Sequence, residues 1–241
     1  MAIFAYSTTT ALVNAAAEHI AADLVSAIKI RNEAHLVLSG GGTPRPVYER
    51  LAQTDVDWSK VHVWFADERN VPPDDPGSNY LLAYESLISN VGLLEENIHR
   101  MKGELSPENS AADYSITLRE VSSSWGLWPR FDVCILGMGA DGHTASLFPG
   151  QMSDEEFNQP VLGVTADYEG RPAERTTLTP LVMNASRRIF FLVTGANKAE
   201  AIKSRFEEFD PNQNPTQRIL PIDGETDWYL DEAAASLLDL S

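Results

Sequence analysis

Basic residues are scarce in this chain. Lysine plus arginine number 18 against 35 aspartates and glutamates, a formal net charge of -17. Such a balance argues against nucleic acid or an anionic membrane as partner, because both demand a positive surface. Cysteine occurs once, at Cys134, so no internal disulfide can form; the residue reads as a small buried hydrophobe mid-strand. No apolar run reaches the roughly 18 residues that a bilayer span needs. Residues 1–10 show no basic region followed by an apolar stretch, so no signal peptide is expected. A reducing cytoplasm is the expected compartment. Histidines number five, with no His-Glu-x-x-His or Cys-x-x-Cys spacing among them, and no metal site is expected.

What is present suffices for a large core: 43% of 241 residues are hydrophobic, with no repeat, low-complexity tract or biased linker. One domain over residues 1–241 is the simplest reading. A long helix is expected at 8–31 from Leu12, Ala16, Ile20, Leu24 and Ala27 at helical spacing, with His19 at its surface or edge. Apolar runs at 35–39, 61–66, 131–136 and 189–194 read as buried strands, and 161–165 and 175–178 as further strands. Helices are expected at 46–52, 79–88, 107–124, 197–209 and 226–238. Strands alternating with helices, several followed by glycine, indicate an α/β fold with a mostly parallel sheet flanked by helices.

Four segments carry chemistry. Ser39-Gly40-Gly41-Gly42-Thr43-Pro44 joins a strand to a helix. Its backbone N–H groups, the helix start and the Thr43 hydroxyl suit a phosphate or other oxyanion. It matches neither the P-loop nor the dinucleotide fingerprint. Asp67-Glu68-Arg69 follows the next strand. Arg69 suits an anionic substrate group or a polarised carbonyl, with Asp67 or Glu68 orienting it; Ser78 and Asn79 suit a helix cap or further polar contacts. Asp141-Gly142-His143 follows Gly137-Met138-Gly139-Ala140 at the carboxyl end of a buried run, where open α/β sheets bind ligands. Histidine is suited to general-base work near neutral pH, and a tight glycine turn allows Asp141 to fix its tautomer. Lys198, in the first turn of a helix after Thr194-Gly195, is electrostatically disfavoured unless it meets an anion. Arg175, entering a strand, is a further basic candidate.

Taken in order, these motifs, with Val71-Pro72, the run Thr144-Ala145-Ser146-Leu147-Phe148-Pro149 and Lys198-Ala199, resemble the family that unites 6-phosphogluconolactonases with glucosamine-6-phosphate deaminases. The resemblance extends to Pro221-Ile222 and Trp228. Deaminases continue after Asp-Gly-His with a Phe-Asn-Glu-Pro element, where this chain has Ser146-Leu147-Phe148-Pro149, and typically carry an aromatic residue at the place of Arg69; both departures favour the lactonase branch. The resemblance implies a modified Rossmann-like sandwich and hydrolysis of 6-phospho-D-glucono-1,5-lactone without metal or organic cofactor. It further implies His143 as base, oriented by Asp141, with Gly40, Gly41, Gly42, Thr43, Lys198 and Arg175 at the phosphate. Whether Arg69 serves the phosphate or the oxyanion, and what Asp67 does, stay open at this level. A deaminase using Glu68 as its base and a non-catalytic sugar-phosphate sensor are the alternatives. The expected partner is a small phosphosugar lactone, and the expected state a monomer or weak homo-oligomer.

Overall fold

The computed structural model describes residues 1–122, 128–167 and 170–239. Nine strands are seen among them: β1 (Ala2–Tyr6), β2 (Ala34–Leu38), β3 (Val61–Phe65), β4 (Asp67–Arg69), β5 (Val133–Leu136), β6 (Val161–Thr165), β7 (Glu174–Leu178), β8 (Arg188–Val193) and β9 (Glu225–Asp231). The α-helices are α1 (Thr9–Arg31), α2 (Pro44–Leu51), α3 (Asn79–Ser86), α4 (Pro107–Val121), α5 (Glu155–Asn158), α6 (Pro180–Met183) and α7 (Ala199–Glu207).

Six strands form one parallel sheet in the order β1-β9-β8-β5-β2-β3. Parallel strands need covered faces. All residues of β2 and β5 are accordingly buried, as are the last five of β8. α1 buries Leu12, Ala16, Ile20, Leu24 and Ala27 along one side. The Thr8 hydroxyl caps its start and Asn32, at φ 66°, closes its end. By length and composition α1 alone among the described residues could cross a membrane; here that apolar side belongs to the core.

The chain leaves β2 for β3 in one direction across the sheet and later returns to place β5 on the other side of β2. The loops after β2 and β5 therefore diverge, opening a crevice at the carboxyl ends of the strands. A second, antiparallel sheet β4-β7-β6 stands beside this edge. Its first strand follows β3 after a single residue, Ala66.

Two expectations need correction, and two strands were not foreseen. Residues 226–238 form strand β9 and turns instead of a helix. β9 lies between β8 and β1, so both its faces are buried: Trp228 stacks on Phe191 at 4.0 Å and Tyr229 on Phe190 at 5.5 Å. Its acids at Asp227, Asp231 and Glu232 imitate a helical polar stripe. β1, five residues long, pairs only with β9, and carries too little pattern to be seen alone. Asp67-Glu68-Arg69, expected only to follow the strand at 61–66, forms a strand of its own, held by β7. The expected helix at 107–124 ends at Val121; positions 123 and 124 lie outside the described residues.

Candidate active site

A cleft of about 430 Å³ opens at the crevice between β2 and β5. Its walls come from the glycine loop after β2, the loop after β5, the start of the second sheet, and the end of β8 with Lys198.

After β5 the chain makes a tight turn. Gly139 N–H donates to the His143 carbonyl at 2.8 Å, and Gly142 N–H to the Gly139 carbonyl at 3.1 Å. Gly142 sits at φ 83°, a region that favours glycine. A Cβ on Gly139 would lie 2.0 Å from His143 Nδ1, so only glycine lets the imidazole fold back over the turn. That folding brings His143 Nδ1 within 2.6 Å of Asp141 Oδ1, which also accepts the His143 N–H at 3.1 Å. Burial alone would push the Asp141 carboxyl up; the hydrogen bonds and charge of His143 outweigh it and hold the group below its ordinary value. An ionised carboxylate only accepts, so in the neutral imidazole Nδ1 carries the proton and Nε2 is the acceptor nitrogen, on a residue that lines the cleft.

The glycine loop is clamped from below. The Tyr48 hydroxyl of α2 accepts from Ser39 N–H and donates to the Ser39 carbonyl, both at 2.8 Å. Ser39 Oγ donates to the Ile135 carbonyl of β5 at 2.6 Å. Gly40, Gly41, Gly42 and Thr43 all line the cleft. A Cβ on Gly40 would strike Asn79 Oδ1 at 1.8 Å, and Gly41 adopts φ 109°. Thr43 Oγ1 lies 3.0 Å from Thr194 Oγ1, tying this loop to the end of β8 near Lys198.

Asp67, Glu68 and Arg69 alternate along β4 and so have different fates. Asp67 is buried on the cleft wall and accepts from Asn79 Nδ2 at 3.0 Å and Ser146 Oγ at 2.7 Å. Glu68 points away from the cleft to the start of α3. There it accepts from the N–H groups of Arg69, Asn79 and Tyr80 and from Ser78 Oγ, at 2.7–3.0 Å. Burial pushes the Glu68 carboxyl up against these four donors. Arg69 returns to the cleft, its Nη1 donating to the Gly77 carbonyl at 2.7 Å. Asn79, expected to cap a helix or to add polar contacts to the substrate cleft, is buried beneath Gly40 and off the cleft wall, where it supports Asp67 through its carboxylate and carbonyl.

Pairing of β4 with β7 sets Arg69 directly opposite Arg175. Like charges opposed across strands are unfavourable unless something anionic lies between or above them. Arg175 is only 2% exposed, yet it reaches the wall of the cleft. Lys198 lines it as well. So does Arg171, a residue the sequence reading missed because it falls in an irregular stretch before β7. Its only signal was a basic side chain near another in an acidic chain. Among the described residues, the lining thus carries Arg69, Arg171, Arg175 and Lys198 against one carboxylate, Asp67. Among the described residues, no group of three or more His, Cys, Asp or Glu is placed to hold a metal ion.

Residues 7–228 match the family model described as glucosamine-6-phosphate isomerases/6-phosphogluconolactonase. The chain belongs to this family. It is 38% identical to a 6-phosphogluconolactonase of Aggregatibacter actinomycetemcomitans over 230 residues, 92% of this chain and 95% of the relative. The crystal structure of 6-phosphogluconolactonase from Thermotoga maritima superposes with a TM-score of 0.83 at 28% identity, over 95% of this chain and 99% of that one. A monomeric glucosamine-6-phosphate deaminase shares the fold alone, at 21% identity and a TM-score of 0.85 over 99% of this chain and all of that one. The mostly parallel six-stranded sheet flanked by helices is thus the modified Rossmann-like sandwich of the glucosamine-6-phosphate isomerase/6-phosphogluconolactonase family.

Proposed function

We propose that this chain hydrolyses 6-phospho-D-glucono-1,5-lactone to 6-phospho-D-gluconate, the second step of the oxidative pentose phosphate pathway. The observation that carries this reading is a carboxylate-oriented imidazole, Asp141 to His143 at 2.6 Å, in the same cleft as four cationic side chains. The lactone's 6-phosphate binds the Gly40–Thr43 loop, Lys198 and Arg175. His143 Nε2 removes a proton from water as the oxygen attacks the lactone carbonyl. A tetrahedral oxyanion forms, and Arg69 faces it with positive charge. Gly139 and Gly142 N–H groups are occupied in closing the turn and are not the donors proposed here. The C1–O5 bond then breaks, and the imidazolium returns its proton to the departing ring oxygen. Asp67, buried and doubly anchored, accepts hydrogen bonds from sugar hydroxyls. No metal or organic cofactor takes part in these steps, and a monomer or weak homo-oligomer in the cytoplasm suits them.

The deaminase reading loses its motif base, since Glu68 caps α3 with both oxygens occupied. A sensor without catalysis has no use for an oriented imidazole. The deciding experiment is hydrolysis of the phosphorylated lactone at mildly acidic pH, with spontaneous opening subtracted, for wild type and His143→Asn. Loss of the positioned base should lower turnover roughly 10²–10⁴-fold. A folded His143→Asn protein with near wild-type turnover would refute the mechanism, and ammonia release from glucosamine 6-phosphate would refute the reaction.

A further inference from the structure

Phe148 belongs to neither the base pair nor the cleft wall, yet it touches two members of the site. Its ring centroid lies 4.9 Å from that of His143, tilted by 30°. The Arg175 guanidinium carbon lies 5.4 Å from the same ring. One phenyl ring is therefore in contact with both the imidazole and the most buried cation of the cleft.

The chain works to put it there. Between His143 and Phe148 the backbone reverses in a turn: Leu147 N–H donates to the Thr144 carbonyl at 2.9 Å and Thr144 N–H to the Leu147 carbonyl at 3.3 Å. Ala145 takes φ 48°, a left-handed conformation that is costly for a residue with a Cβ. Beyond the turn, Arg218 holds the main chain on both sides of Pro149. Its Nη2 donates to the Phe148 carbonyl at 3.3 Å and the Gly150 carbonyl at 2.7 Å. Arg218 is itself fixed by both oxygens of Glu156 at 3.1 Å and by the Pro211 carbonyl at 2.9 Å. Glu156 and Arg218 are both buried, and neither lines the cleft. A strained turn and a buried ion pair thus converge on the position of one ring.

We propose that Phe148 is a positioning residue, the shared wall that sets the His143 imidazole in its productive rotamer and places the Arg175 guanidinium at the phosphate. This rests on the hydrolytic reading above. Asp141 restrains the imidazole at Nδ1; the phenyl ring packs against the imidazole as a second restraint. For Arg175, the ring face supplies a cation–π contact in a desolvated place, where such contacts are strongest.

The test compares Phe148→Ala and Phe148→Tyr with wild type in three measurements: kcat for the phosphorylated lactone, Kd for 6-phosphogluconate by calorimetry, and Tm. In Phe148→Ala, kcat should fall about tenfold or more, because small misplacements of a base are expensive. Product Kd should rise about threefold to tenfold as the Arg175 contact is lost. Phe148→Tyr, which keeps the ring, should restore both to within about twofold. Should Phe148→Ala fail to fold, Phe148→Leu preserves the apolar volume and removes only the ring face; product Kd should still rise. Wild-type kcat or wild-type product Kd in folded Phe148→Ala overturns the proposal, as does a kcat loss that follows Tm alone with Kd unchanged. If His143→Asn also retains activity, the hydrolytic reading itself has failed. An inactive His143→Asn beside an unaffected Phe148→Ala removes only the role assigned to the ring.

Discussion

Neutralising Asp141 isolates one interaction whose worth can be read from geometry. Asp141→Asn keeps the shape of the side chain, and its amide oxygen can still accept the His143 N–H now held at 3.1 Å. What disappears is the negative charge 2.6 Å from Nδ1, at the moment when the imidazole takes a proton from water. A hydrogen bond to a charged group contributes about 1.5–3 kcal/mol. The Asp141 side chain is 34% exposed, so solvent screening places the value near the lower end, about 1.5–2 kcal/mol. If that stabilisation exists only in the transition state, kcat should drop about 10- to 30-fold with little change in KM. Asparagine can also present its NH₂ to Nδ1, which would select the wrong tautomer and deepen the loss. The assay is steady-state lactone hydrolysis near neutral pH, paired with thermal melting of the same preparation. A kcat within twofold of wild type at unchanged Tm would refute the orienting role. So would a loss of activity that disappears once the folded fraction is corrected for.

Lys198→Ala should raise the KM for the phosphorylated lactone about tenfold or more while affecting unphosphorylated gluconolactone much less, since one charge-assisted phosphate contact is worth about 1.5–3 kcal/mol. Equal losses for both substrates would remove Lys198 from the phosphate site. Acid should unfold the protein partly through His99, which stacks on Trp64 at 3.9 Å and lies 3.0 Å from His62 Nδ1. Burial, with His62 and His35 nearby, pushes the His99 imidazole down from 6.5 to about 4. The unfolded chain therefore takes up that proton first; the contribution is complete above about pH 6.5 and fades as pH falls toward 4, by roughly 3 kcal/mol. Urea titrations at pH 7.5 and 4.5 should show a smaller acid loss in His99→Phe than in wild type, and equal losses would refute the assignment.

Much of the fold was legible because the parallel strands are buried on both faces. Runs such as Val133-Cys134-Ile135-Leu136 and Ile189-Phe190-Phe191-Leu192-Val193 need no partner to be recognised. β9 was illegible for the opposite reason: its aromatic run is interrupted by acids that satisfy a helical period as well as a strand. The turn around Gly139–His143 was legible in part, since glycines after a buried strand announce a close approach. The distance between Asp141 and His143 was not, because it depends on Gly142 taking a positive φ. Arg175 and Arg171 were the least visible. Arg175 owes its place to an antiparallel pairing between β4 and β7, more than a hundred residues apart, and Arg171 precedes that strand in an irregular stretch; no local pattern encodes either.

That same pairing gives a chain of net charge -17 a local positive surface for the proposed phosphate dianion. The global field repels phosphate, and at a Debye length of about 8 Å in physiological salt most surface acids are screened from the cleft. What matters is the charge within that radius. β4 and β7 place Arg69 opposite Arg175, while the end of β8 brings Lys198 to the same wall. The carboxylates nearest to them are already committed. Glu68 is turned away into the start of α3, Asp67 is anchored by Asn79 and Ser146, and Asp141 is held by His143. The alternation of a single short strand does most of this sorting: it sends Glu68 behind the wall and leaves Asp67 and Arg69 in front. A one-residue slip of β4 against β7 would exchange those faces, turning Arg69 away from the cleft and presenting Glu68 to it. Register in this three-residue strand is therefore as important to the site as the identity of any residue that lines it.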